Sequence, residues 1–124
     1  MPQIPDDVRR FILTSVPSVP YLEGMLLLRA GSTSQWQPAD LARRLYITQQ
    51  KADELLKQLA EAGFVANDGQ CWRWQPAPEV SELVDRLARI YANELVEVTE
   101  LIHTREERRA RQFADAFRLR RKEE

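Results

Sequence analysis

Gln49 and Gln50 stand side by side at the start of an amphipathic run, and a side-chain amide is the group that can exchange two hydrogen bonds with an adenine edge. Around them Arg43, Arg44, Lys51, Lys57 and Arg73 are cations of the kind that hold phosphate oxygens. The same run carries Asp53 and Glu54, and residues 36–75 hold five basic and five acidic residues. A locally neutral, amide-rich surface of this kind also suits docking to another protein, so both uses stay open.

Other chemistry has little to start from. His103 is the single histidine and Cys71 the single thiol, so a Cys/His metal cluster or a Cys–His nucleophilic pair would rest on those two alone. No glycine-rich phosphate loop, HExxH or GxSxG occurs. No catalytic residue, metal or cofactor is expected, and the chain reads as non-enzymatic. Trp36, Trp72 and Trp74 could stack on single-stranded bases, but no cationic groove accompanies them, so stapling a small sheet onto helices is the better reading. Near the end, Phe113 and Phe117 lie among Arg118, Arg120 and other arginines, a segment able to dock into a partner's groove.

These residues need elements to place them. A chain of 124 residues with 44% hydrophobic content can bury one modest core. The formal net charge is −1, but residues 1–102 carry −4 and residues 103–124 carry +3, so the basic excess lies in the tail. One cysteine excludes an internal disulfide, and PQIPDD lacks the basic and apolar regions of a signal peptide; a reducing cytoplasm is expected.

Pro5, Asp6 and Asp7 predict a helix start, with Val8, Phe11 and Ile12 on one face, and the VPSVP segment predicts a rigid elbow. Pro20 opens a second helix, apolar around most of its circumference, that ends at Gly31. Within it Gly24 costs about 1 kcal/mol against alanine, which close helix packing would explain. After Ser32-Thr33-Ser34, Gln35-Trp36-Gln37 reads as a very short strand that joins a later hairpin.

Pro38 begins a helix with Leu41, Ala42 and Leu45 inward; Tyr46-Ile47-Thr48 is a turn whose threonine can cap the next helix. That helix buries Ala52, Leu55, Leu56 and Leu59 and ends at Gly63, leaving Gln49, Gln50, Asp53, Glu54, Lys57 and Gln58 outward. Two strand-like stretches, 64–67 and 70–74, are joined by Asp68-Gly69, the dipeptide a two-residue type I′ turn favours. From Glu79 onwards no Gly or Pro occurs for 46 residues, which predicts one long helix. Its apolar stripe includes Leu83, Leu87, Tyr91, Leu95, Val98 and Ile102, and both cover by a second copy and packing back onto the 20–30 helix within the chain are expected.

With ADLARRL, ITQQKADELLKQL, EAGFV and NDG in this order, the central region resembles the winged helix-turn-helix superfamily, most closely small MarR-type bacterial transcription regulators. The resemblance implies a mostly α fold with a small antiparallel β wing, followed by a long C-terminal helix. It divides the chain into an N-terminal helix and proline elbow (1–19), a winged helix-turn-helix domain (20–75), and a C-terminal helix with basic tail (76–124), dimerising to about residue 102. The implied function is a dimeric DNA-binding transcription regulator acting on double-stranded DNA; the alternative is an interaction adaptor that docks a protein partner through the 49–59 helix face or the Phe/Arg tail.

Overall fold

The structure is a computed structural model that describes residues 4–32 and 34–123, with side chains as far as Phe117. Thr33 of the polar stretch therefore lies outside the described residues. The first helix, α1 (Asp6–Ser15), carries both its acids in the first turn, where the exposed N–H groups favour negative charge. At the elbow Val16 is extended and fully buried, and the axes of α1 and the next helix turn through 113°. Ser18 caps α2 (Val19–Ala30) by accepting from the Tyr21 N–H at 3.3 Å.

Helix α2 is the hub, with Tyr21, Leu22, Met25 and Leu28 buried. Gly24 is needed there for a close approach: a Cβ at that position would stand 2.8 Å from Leu55 Cδ2. Helix α3 (Pro38–Leu45) begins with a reciprocal cap between Gln37 and Asp40. Thr48 then caps α4 (Gln49–Glu61), its hydroxyl accepting from the Lys51 N–H at 3.1 Å. Ala52, Leu55, Leu56 and Leu59 face inward as their spacing predicts.

Strands β1 (Val65–Asn67) and β2 (Trp72–Trp74) pair antiparallel with Val65 opposite Trp74 and Asn67 opposite Trp72. Trp36 adds one further bridge, its N–H and C=O both bonded to Trp72. The tryptophans staple: Trp36 is buried, and Trp74 stacks at 6.0 Å on Phe64, which meets Phe11 of α1 edge-on.

The hairpin connection departs from the expected two-residue turn. Four residues, 68–71, separate the paired ends, and of Asp68 and Gly69 only the glycine has positive φ (+99°). Asp68 keeps an ordinary backbone because its carboxylate has work inside the loop: Oδ1 accepts from the N–H groups of Gln70 at 2.9 Å and Cys71 at 2.8 Å.

The second departure is larger. The expected single long helix is two, α5 (Pro78–Asn93) and α6 (Leu95–Glu123), broken at Glu94 (φ −125°, ψ 48°). An unbroken helix would lift residues 95–102 away from the body at about 1.5 Å per residue. The break instead returns α6 along α1, and Val98 and Ile102 become fully buried in one core with Val8, Ile12, Val84 and Leu87. No glycine or proline marks the break, since tertiary burial, not local propensity, causes it. Desolvation, then the neighbouring Glu97 carboxylate, pushes the Glu94 carboxyl above its ordinary range.

Asp7 of α1 reaches Arg86 of α5, with Arg86 Nη2 donating to Oδ1 at 3.1 Å, and Arg29 of α2 holds Asp85 at 2.6 Å. No single helix among the described residues is long and apolar enough to cross a membrane.

Candidate functional site

The outward face of α4 is built by subtraction. Four apolar residues anchor one side, the Thr48 cap fixes the first turn, and Gln49, Gln50, Lys51, Glu54, Lys57 and Gln58 are left exposed. Both glutamines therefore sit where α4 begins, at the end whose backbone dipole is positive. Immediately before them the chain turns at Tyr46, which adopts left-handed backbone geometry (φ 57°, ψ 43°) and is 95% exposed. The turn sets the angle between α3 and α4 and leaves a phenol ring standing in solvent.

Charge on this surface is largely self-compensated. Lys57 Nζ lies 2.9 Å from Asp53 Oδ2, and that hydrogen bond raises the lysine's pKa. Arg43 Nη2 lies 2.7 Å from Asp40 Oδ1 in α3, and Arg73 Nε lies 3.3 Å from Asp68 Oδ2 at the hairpin tip. Asp68 is held below the usual carboxylate range, first by the Cys71 and Gln70 N–H groups and then by Arg73. Among the described residues, no acid lies within ion-pair distance of Arg44 or Lys51. Of the five expected phosphate contacts these two stay unpaired. Arg44 also lines a shallow cleft of about 370 Å³ with Ser34, Gln35 and Trp36.

Cys71 and His103 sit on different elements, the hairpin loop and α6. Cys71 is half-buried, its thiol donating to Gln35 Oε1 at 3.6 Å and receiving Gln37 Nε2 at 3.3 Å, whereas His103 is exposed on α6. No group of three metal-ligating side chains gathers among the described residues.

The apolar stripe assigned to dimerisation is mostly spent within the chain. Leu87, Val98 and Ile102 are fully buried, Leu83 and Tyr91 are half-buried, and the Tyr91 hydroxyl donates to Glu23 at 3.4 Å. The Glu94 break is the reason, because it turns α6 onto α1 and covers that face. Leu95 is 53% exposed and its neighbour Val96 60%. On the tail, Phe113 is 75% and Phe117 52% exposed; the side chains of Arg118 and Arg120 lie outside the described residues.

Tyr46 is the residue that sequence reading undervalued. It stands in a helix–helix turn, where glycine is common, and the periodicity of the neighbouring helices carries no signal of its exposure. In comparisons with family models, curated proteins and solved structures, nothing matches this chain.

Proposed function

We propose that this chain is a non-enzymatic winged-helix protein that binds double-stranded DNA and regulates transcription. In this reading α3, the Tyr46–Thr48 turn and α4 form the helix-turn-helix, and the β1–β2 hairpin with its Trp36 bridge forms the wing. The observation that carries it is the exposed first turn of α4, where Gln49 and Gln50 meet the positive end of the helix and Lys51 has no acid partner among the described residues. Gln49 and Gln50 read base edges in the major groove; Arg44 and Lys51 hold phosphates on either side of the turn. Arg43, Lys57 and Arg73 contribute only when phosphate displaces their carboxylate partners.

That compensation also favours a second reading, an adaptor whose α4 face docks a protein, because three neutralised cations leave a polar surface without a net field. Titrating labelled mixed-sequence duplex at two salt concentrations separates the two. A DNA binder of this charge shows dissociation constants of roughly 1–100 µM that weaken steeply with salt. Lys51→Ala and Arg44→Ala should each weaken binding to every sequence and flatten the salt slope by about one unit. Gln49→Ala should instead alter preference among sequences. Absence of binding at low salt, unchanged in Asp53→Asn, would overturn the DNA reading.

A further inference from the structure

Helix α6 carries a charge pattern that neither the core nor the α4 surface uses. Glu97, Glu100, Thr104, Arg108 and Arg111 are spaced 3, 4, 4 and 3 residues apart, so they share one helix face, and all five are exposed. The spacing is symmetric about Thr104, with both acids on one side and both arginines on the other. At about 1.5 Å per residue, Glu97 and Arg111 each lie roughly 10 Å from Thr104 along the axis.

Among the described residues these charges meet no opposite charge: neither acid and neither arginine forms an ion pair. The acidic half borders an open cleft of about 460 Å³ between α1 and α6, lined also by Ile4, Asp6, Glu94 and Leu101. Arg9 also lines this cleft and, among the described residues, forms no ion pair. The helix dipole does not account for the segregation either. Its influence fades within the first and last turns, and of these residues only Glu97 lies in an end turn of a helix running from Leu95 to Glu123.

We infer that a second copy of this chain occupies this face, with α6 lying antiparallel on α6 about a two-fold axis through Thr104. Glu97 then meets the partner's Arg111, and Glu100 the partner's Arg108, and each pair occurs twice by symmetry. The Thr104 side chains, small and already turned back to the Glu100 carbonyl at 2.8 Å, let the helices approach at the axis. The Arg-bearing half of each helix fills the other's acidic cleft, with Leu101 as its apolar floor. An antiparallel arrangement is required, because parallel pairing would set acid against acid and arginine against arginine. The interface differs from the buried Leu87, Val98 and Ile102 stripe, and it holds whether or not α4 binds DNA.

Sedimentation of the full chain over a wide concentration range, at low and high ionic strength, tests it. Wild type should be dimeric at low salt and dissociate as salt screens the pairs. Glu97→Arg/Glu100→Arg and Arg108→Glu/Arg111→Glu, checked for unchanged helicity by circular dichroism, should each weaken the dimer on the order of tenfold or more, since attraction becomes repulsion. Mixing the two variants should yield a heterodimer, because all four contacts are then opposite in sign. The protein carrying all four changes should self-associate again. A monomeric wild type at low salt, or a dimer indifferent to both reversals, would overturn the proposal; a basic peptide, an acidic peptide or nucleic acid would then be the occupant to seek. Mass is the readout, so failure of duplex binding leaves the result interpretable.

Discussion

Tyr46 concentrates the tension between stability and use in one residue. A non-glycine residue in left-handed geometry costs roughly 1–2 kcal/mol, and a ring that is 95% exposed returns almost nothing through packing. Tyr46→Gly should therefore raise stability to denaturant by up to about 1 kcal/mol, the gain being reduced by glycine's greater freedom when unfolded. The same variant should weaken binding of whatever α4 engages. Unchanged binding in a titration would show that the ring only fills the turn. Gln49 and Gln50 were legible in the sequence because a cap precedes them and an amphipathic pattern follows. The pairing of Lys57 with Asp53 was accessible from their i, i+4 spacing, but that of Arg73 with Asp68 depended on hairpin geometry.

Among elements, the helices of the first half follow local signals closely: prolines open α2 and α3, threonine caps α4 and glycine terminates it. The C-terminal half does not, because a 46-residue stretch without Gly or Pro contains a break that only packing explains. Ile102→Ala tests that fold-back directly. With Ile102 fully buried on α1, its truncation should cost about 2–5 kcal/mol in urea unfolding. Leu95→Ala, at a position 53% exposed just after the break, should stay within about 0.5 kcal/mol. Equal and small effects at both positions would mean that α6 projects from the body.

At the scale of the molecule, one core links α1 to α6, and Tyr21 of α2 lies inside it beside Arg105 of α6. Burial pushes the Tyr21 hydroxyl up to about 12, with Arg105 opposing that shift. A pKa raised on folding contributes stability that is fully present below the unfolded value near 10 and is lost as pH climbs through the folded value. Between those limits each pH unit should cost the fold on the order of 1 kcal/mol, and Tyr21→Phe should remove most of that slope. Thermal melts from pH 9 upward read it; parallel curves for both proteins would mean another group governs alkaline unfolding. Asp7 acts at the opposite extreme. Its pKa is lowered chiefly by the Arg86 hydrogen bond, so its contribution is present above the unfolded value of 3.8 and fades as pH falls through the folded one.

Local chemistry alone determined which segments of this chain become helix or strand, where most of them start and stop, and which face of α4 points out. Those features depend on residues within a few positions of one another, through caps, dipoles and 3.6-residue periodicity. Tertiary structure alone decided that α1 is what covers the C-terminal stripe. A stripe of apolar residues states only that it must be covered, and the covering surface, α1, is some ninety residues away in sequence. By taking up that stripe, the fold leaves α6 a charged face instead, one with the symmetry to meet its own copy.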